Sequence, residues 1–247
     1  MAATNPIGHP RTLWLVRHAE SAGNVANAAA LADGLPELDL AHRDMDVPLS
    51  PLGRRQAEAL ATWLKGLDEP PSVVWCSPYK RAVDTARIAL DAAGLDVPRH
   101  SDERLREREF GILDRLTKVG IEDRHPEQAA ARAFLGKFYH RPPGGESWAD
   151  VVARVRSFLT SMRLDHAGQD VCVVAHQAVI TLCRYVLEGM DEAEVLALDR
   201  SYEIANTAVA TFRGDGVGPP VLLSANEVDH LPVELRTSEP DRPVVPR

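Results

Sequence analysis

Cationic and imidazole side chains directly follow three apolar runs of the sequence. The runs and the residues after them are LWLV (13–16) with Arg17 and His18, SVVWC (72–76) with Ser77 and Arg81, and DVCVVA (170–175) with His176. In an open α/β sheet, ligands bind beyond the carboxyl ends of the strands. If the three runs are neighbouring strands, two histidines and two arginines meet at one edge of the sheet.

Arginine beside histidine at such an edge indicates phosphate chemistry. A guanidinium group binds two phosphate oxygens at once and stays charged at every working pH. A neutral imidazole among these cations can attack phosphorus, while the arginines neutralise the charge of the transferring group. Arg17 would then bind the phosphoryl group that His18 attacks. The alternatives for the single residues are a solvated loop around Arg17 and His18, a hydrogen-bonded structural role for His176, and a helix cap or ion pair for Arg81.

The elements that must position these residues alternate along the chain. Besides the three runs above, AVATF (208–212) and VLLSA (221–225) are short apolar segments typical of strands buried on both faces. Apolar residues at helical spacing predict four helices, over residues 50–67, 79–94, 147–163 and 177–189. Alternating strands and helices predict an α/β fold, a three-layer α/β/α sandwich with a mostly parallel central sheet.

No Gly/Ser-rich linker divides the 247 residues, which favours a single domain. We place this domain at residues 10–230. The weakly periodic residues 106–146 are predicted to form an insertion or lid over the sheet. The segment 231–247 ends in TSEPDRPVVPR and is predicted to be a flexible tail.

Composition argues against several classes of partner. The net charge is −8 and the pI is near 5.6, whereas nucleic acids and anionic membranes attract basic proteins. No apolar signal segment and no run of 18 apolar residues is present, and the three cysteines form no CxxC pair. The sequence therefore predicts a cytoplasmic protein that binds neither nucleic acid nor membrane.

Five motifs in this order resemble the histidine phosphatase superfamily, the branch that contains phosphoglycerate mutases and fructose-2,6-bisphosphatase. The motifs are LVRHAESAGN (15–24), CSPYKRAVDTA (76–86), LREREFG (105–111), PPGGES (142–147) and VVAHQ (173–177). The resemblance extends over nearly the whole chain, from Thr12 to the strand in ANTAVATF (205–212). It implies a phosphoglycerate mutase-like fold.

The resemblance also implies roles for individual residues. His18 would be the nucleophile that becomes phosphorylated, and its phosphate pocket would be completed by Arg17, Arg81 and His176, with Asn24 helping to bind the phosphoryl oxygens. Glu107 would donate the proton that the leaving alkoxide needs, because it occupies the family's acid position. Glu109 is the rival carboxylate and is expected to face the other way. The alternative for Glu107 is a surface charge in an Arg/Glu-rich run.

Substrate contacts are expected around the pocket. Gln177 stands where relatives commonly have glycine, and it adds a side chain that can contact substrate or narrow access. The segment before GGES is similar to the bisphosphatase branch, which implies substrate contacts by Lys137, Tyr139 and Arg141. The alternative is an amphipathic segment that packs its aromatic residues inward. Ser147 and Asp150 can instead form the start of a helix, with Ser147 as its N-cap.

The motifs favour hydrolysis over phosphate transfer within a substrate, since only residues 108–143 separate the acid from PGGES and no mutase-like run follows FG. We therefore predict a phosphomonoesterase of a small phosphorylated metabolite. A phosphoglycerate mutase-type phosphotransferase and a non-catalytic phospholigand-binding protein are the alternatives. No metal or other cofactor is expected, because arginines supply the positive charge and no HxxxH, HExxH or Walker A motif is present. Exposed helices leave room for a homodimer.

Overall fold

A computed structural model describes residues 8–201 and 203–238 of the chain. Six strands form one sheet in the order β3-β2-β4-β1-β5-β6. They are β1 (Thr12–Arg17), β2 (Val73–Cys76), β3 (Arg99–Ser101), β4 (Asp170–Ala175), β5 (Val209–Arg213) and β6 (Val221–Glu227). The first four strands are mutually parallel, and β5 runs antiparallel to both β1 and β6. The prediction of a mostly parallel sheet is confirmed.

The helices within the described ranges are α1 (Ala22–Ala32), α2 (Pro51–Lys65), α3 (Lys80–Ala93), α4 (Lys118–Arg124), α5 (Pro126–Tyr139), α6 (Trp148–Asp165), α7 (Gln177–Leu187) and α8 (Glu192–Ser201). The four predicted helices are confirmed as α2, α3, α6 and α7. Ser50 accepts a hydrogen bond from the Gly53 N–H at the start of α2, and Ser147 and Asp150 form the expected capping box of α6. None of these helices is long and apolar enough to cross a membrane.

Both faces of the sheet are buried. On one face, Leu13 and Leu15 pack in a core with residues of α6 and α7. On the other, Trp14 and Val16 pack in a second core with residues of α2 and α3. Because side chains of a strand alternate between its two faces, β1 contributes to both cores. This arrangement is the predicted three-layer sandwich. Strand β6 differs from the expectation of burial on both faces, since it lies at the sheet edge and leaves Val221 and Leu223 exposed.

The segment 106–146 contains α4 and α5, which its weak periodicity did not predict. Its role as a lid stays a prediction. Part of the predicted tail is packed, because Leu231 and Leu235 are buried and Gln56 on α2 donates to the Leu235 carbonyl at 2.7 Å. The predicted boundary at residue 230 therefore falls inside a packed segment. The flexibility predicted for residues 239–247 lies outside the described residues.

Candidate active site

The carboxyl ends of β1, β2 and β4 bring the predicted catalytic residues to one edge of the sheet. Arg17 pairs with Ala175 across β1 and β4, so the next residues, His18 and His176, leave neighbouring strands at the same level. Their rings lie edge to face with centroids 5.0 Å apart. Both histidines are fully buried. The two imidazoles predicted to meet therefore do so.

The backbone fixes the tautomer of His18. Its Nδ1 lies 2.7 Å from the carbonyl oxygen of Ala19. A carbonyl oxygen only accepts hydrogen bonds, so Nδ1 carries the proton and, in the neutral ring, Nε2 carries the lone pair. Nε2 is consequently the atom of His18 that can attack phosphorus.

Two buried arginines supply positive charge. Arg17 is fully buried, and its Nη1 donates to the carbonyl oxygen of Ile204. Arg81 is 2% exposed, and its Nη1 donates to the backbone oxygen of Asp44 at 2.7 Å and to the Asp44 carboxylate at 3.1 Å. Nη2 of Arg81 is buried and has no hydrogen-bond partner among the described residues. A buried guanidinium N–H in this state suits an anionic ligand.

Tyr79 and Ser77 surround His176 in a way that the sequence did not predict. Nε2 of His176 lies 2.8 Å from the Ser77 hydroxyl oxygen. The Tyr79 ring packs edge to face against His176, with centroids 5.2 Å apart, and the Arg81 guanidinium lies 4.9 Å from the centre of the Tyr79 ring. The Tyr79 hydroxyl donates to Glu109 at 2.7 Å. Tyr79 thus joins the phosphate pocket to the segment that carries the predicted acid.

Both candidate carboxyl groups lie on this segment. Glu107 is 3% exposed, and its Oε1 accepts from the Arg108 N–H at 2.7 Å. Glu109 was expected to face away, but its bond to Tyr79 places it beside the ring that contacts His176. The structure therefore keeps both carboxyl groups as candidates on position alone.

Glu146 anchors the acid-bearing segment. Its carboxylate accepts from Arg106 at 2.6 Å, from two nitrogens of Arg154 at 3.0 and 3.1 Å, and from the Glu109 N–H at 3.1 Å. Arg154 also donates to the Glu107 carbonyl at 3.3 Å. Glu146 is thus a structural contact between the GGES motif and the acid, whereas the helix start beside it belongs to Ser147.

Asn24 and Gln177 lie near the nucleophile. The Asn24 Oδ1 accepts from the Ser21 N–H at 2.9 Å as part of the capping box of α1. Gln177 follows His176 directly, and its Nε2 donates to the Glu203 carboxylate. Substrate binding by both residues stays a prediction.

The three other predicted substrate contacts are engaged with carboxylates. Lys137 pairs with Asp199, the Tyr139 hydroxyl donates to Glu192, and Arg141 pairs with Asp150 at the start of α6. Burial lowers the pKa of the Lys137 ammonium, and nearby Arg132 and Arg108 lower it further, while Asp199 opposes them. Tyr139 and Arg141 are half or more exposed. Lys137 therefore has the most buried side chain of the three.

Several residues that hold the site were not predicted. Thr85, Gln56 and Asn206 are fully buried, and each bonds to a peptide group just after β1. These contacts join residues far apart in the chain, so no local pattern could have indicated them. Across residues 8–201 and 203–238, no cluster of three or more His, Cys, Asp or Glu side chains could hold a metal ion.

Comparison with known proteins relates this geometry to a family. The family model for the histidine phosphatase superfamily (branch 1) matches residues 13–227. A 6-phosphofructo-2-kinase/fructose-2,6-bisphosphatase from Gallus gallus is 32% identical over 184 residues, which are 74% of this chain and 34% of that protein. A protein of the same name from Caenorhabditis elegans is 35% identical over 173 residues, 69% of this chain and 33% of that protein. The chain thus spans about a third of the length of these relatives.

A solved structure agrees over the full domain. The mycobacterial glucosyl-3-phosphoglycerate phosphatase, in a complex with VO3, superposes with a TM-score of 0.67 at 27% identity and covers 88% of this chain and 100% of that chain. The expected phosphoglycerate mutase-like fold agrees with this match. The chain belongs to the histidine phosphatase superfamily.

Proposed function

We propose that the protein is a phosphomonoesterase that hydrolyses a small phosphorylated metabolite through a phosphohistidine at His18. The observation that carries the proposal is the hydrogen bond from His18 Nδ1 to the Ala19 carbonyl, which directs the Nε2 lone pair away from the backbone. This lone pair lies in a buried pocket with the cations Arg17 and Arg81. Such a pocket stabilises the negative charge of a phosphoryl group in flight.

The first step forms a bond from Nε2 of His18 to phosphorus and breaks the bond from phosphorus to the substrate's ester oxygen. The leaving oxygen takes a proton from the carboxylic acid of Glu107, which becomes a carboxylate. In the second step this carboxylate takes a proton from water as the water oxygen attacks phosphorus. The bond to Nε2 breaks, inorganic phosphate leaves, and His18 regains its lone pair.

The names of similar proteins support hydrolysis. The relatives from Gallus gallus and Caenorhabditis elegans carry a bisphosphatase in their names, and the mycobacterial structure is a phosphatase. The mutase alternative requires a bisphosphate primer and transfer within the substrate. The non-catalytic alternative is disfavoured because nucleophile, arginines, second histidine and carboxyl group are all present and buried.

The side chains beside the pocket favour a hydroxyl-rich substrate such as a sugar phosphate. Gln177 donates to Glu203, and the neighbouring Ile204 accepts from Arg17, which places this amide and carboxylate next to the phosphate pocket. Lys137 pairs with Asp199 on α8. Paired donors and acceptors match sugar hydroxyl groups.

The cellular setting is part of the proposal. Cys76, Cys172 and Cys183 are free and buried, and burial raises the pKa of Cys172 and of Cys183 to about 12. Reduced, unreactive thiols suit the cytoplasm. We propose a small-molecule substrate without a nucleic-acid or membrane partner. A homodimer is supported by Phe134 on α5, whose side chain is 90% exposed.

Phosphate release from a panel of esters in metal-free buffer tests the proposal. The panel contains sugar monophosphates, sugar bisphosphates and 3-phosphoglycerate. Hydrolysis by the wild type is expected to persist with a chelator and to be lost by at least about a thousandfold in His18→Ala. His42→Ala is the matched control, because His42 is an exposed histidine outside the pocket.

A His18→Ala variant as active as the control would contradict the phosphohistidine mechanism. Isomerisation primed by a bisphosphate, without hydrolysis of any ester, would establish the mutase alternative. A folded wild type that performs neither reaction would point to the binding protein.

A further inference from the structure

The backbone directly after β1 is held peptide by peptide. We call residues 17–20 the nucleophile loop. Four distant residues are among the partners of its carbonyls and N–H groups. The Arg17 carbonyl accepts from the Thr207 N–H at 3.1 Å, and the His18 carbonyl accepts from Asn206 Nδ2 at 3.0 Å. The N–H groups of Ala19 and Glu20 donate to Thr85 at 3.0 Å and to Gln56 at 2.8 Å. The position of His18 therefore depends on these distant partners.

One hydroxyl group links two of these partners. The Thr237 oxygen accepts from Gln56 Nε2 at 2.7 Å, and its proton is donated to Asn206 Oδ1 at 2.9 Å. Gln56 and Asn206 are fully buried and bond to two successive peptide groups, Asn206 to the one between His18 and Ala19 and Gln56 to the one between Ala19 and Glu20. A hydroxyl group has only one proton to donate, so this chain of donors and acceptors fixes the orientation of both side-chain amides.

The segment 231–238 is itself anchored. Leu231 and Leu235 are buried, and the Thr237 carbonyl accepts from the Asn206 N–H at 2.8 Å. Gln56 also donates to the Leu235 carbonyl at 2.7 Å. Thr237 is therefore presented to the two amides by a packed backbone and does not reach them from a loose chain end.

We propose that Thr237, through its hydroxyl group, is a positioning residue for the nucleophile His18. The inference rests on the proposed function, because positioning matters for catalysis only if His18 attacks substrate. Without the hydroxyl group, Gln56 Nε2 and Asn206 Oδ1 each lose a partner, and both amides gain freedom to turn. A small displacement of His18 lowers the rate of an in-line attack steeply, because the reacting atoms must be aligned.

Thr237→Val removes the hydroxyl group and keeps the shape, whereas Thr237→Ser keeps the hydroxyl group. We expect kcat to fall about tenfold in Thr237→Val with KM changed less than about twofold, and to stay within about twofold of the wild type in Thr237→Ser. Thr160→Val on the exposed face of α6 is the control for the exchange of threonine for valine. Hydrogen exchange of the peptide that contains residues 17–24 is measured beside activity, and is expected to speed up in Thr237→Val alone.

Wild-type kcat and wild-type exchange in Thr237→Val overturn the proposal. Equal losses in Thr237→Ser and Thr237→Val overturn it too, because they trace the effect to packing. If the wild type hydrolyses no ester, the proposed function fails separately, and hydrogen exchange decides the positioning role. Faster exchange in Thr237→Val and not in Thr237→Ser supports the role, and unchanged exchange overturns it.

Discussion

At the scale of single residues, Glu107 and Glu109 compete for the role of proton donor. One oxygen of Glu109 accepts from the Tyr79 hydroxyl at 2.7 Å, so this carboxyl group is engaged with the tyrosine beside His176. Glu107 is 3% exposed, and its Oε1 accepts from the Arg108 N–H at 2.7 Å. We propose Glu107 as the acid because of its position in the family's motif, and Glu109 as the support of Tyr79.

We predict that Glu107→Gln lowers kcat on an alkyl phosphate about 100- to 1,000-fold, because the alkoxide then leaves without a proton. On p-nitrophenyl phosphate, whose leaving group is stable as an anion, the loss should be about tenfold or less. Steady-state kinetics on both esters measure the difference. Glu109→Gln is the matched control and should affect both substrates to the same degree. If Glu109→Gln instead shows the dependence on leaving group, the assignment is reversed.

The sequence correctly predicted that three of the candidate catalytic residues lie at strand ends, because each of them ends or directly follows its strand in the chain. Arg17 and His18 directly follow an apolar run, and so does His176. The sequence did not predict Gln56 and Asn206, because their partners Glu20 and His18 lie 36 and 188 positions away in the chain. Such residues belong to no local sequence motif, and only the fold brings them together with their partners.

At the scale of elements, the start of α2 packs against the nucleophile loop. The Ser50 N–H donates to the Glu20 carbonyl at 3.0 Å, and a Cβ atom at Gly53 would lie 1.9 Å from the same carbonyl oxygen. The helix therefore approaches the loop closely only because residue 53 is glycine. The site therefore requires a residue without a side chain at position 53, although Gly53 takes no part in the chemistry.

Gly53→Ala is predicted to push α2 and the loop apart, to destabilise the fold by about 1–3 kcal/mol and to lower kcat about tenfold or more. Gly66→Ala at the end of the same helix is the control, because its Cβ would meet no atom closer than 3.5 Å. Thermal unfolding and kinetics of both variants check the prediction. Gly53→Ala with the kinetics and stability of the control would show that the loop does not depend on this contact.

The elements that the sequence missed share a physical cause. Strand β3 has three residues, Arg99–Ser101, all exposed, so it carries no apolar signal and forms by pairing with β2. The α1 sequence AGNVANAAALA is so rich in alanine that it lacks an amphipathic pattern. In contrast, β4 has the predicted bounds 170–175, because all six of its residues are buried.

At the scale of the whole molecule, the chain returns to the back of the nucleophile loop after β6. His230 lies on this return and its Nε2 is 3.2 Å from the Thr207 hydroxyl oxygen. The pKa of His230 is lowered to about 4, chiefly because burial disfavours the charged ring; Asp229 opposes this effect and Arg236 adds to it. The folded state therefore disfavours protonation of His230, which contacts Thr207 beside the nucleophile loop.

This pKa predicts how stability depends on pH. Between pH 6.5 and about 4 the unfolded chain binds a proton at His230 that the folded chain does not, so stability rises with pH in this window. The contribution is present above pH 6.5 and is lost as pH falls, by about 2 kcal/mol for a side chain that keeps partial contact with water.

Denaturant unfolding of the wild type and His230→Gln at pH 7 and pH 4.5 measures this contribution. Glutamine retains a hydrogen-bonding group for Thr207 and does not titrate, so the variant should lose about 1–2 kcal/mol less than the wild type on acidification. His42→Gln, at an exposed histidine, should follow the wild type. Equal acid losses in the wild type and His230→Gln would mean that His230 is protonated in the folded state. The return segment would then tolerate a charge behind the nucleophile loop.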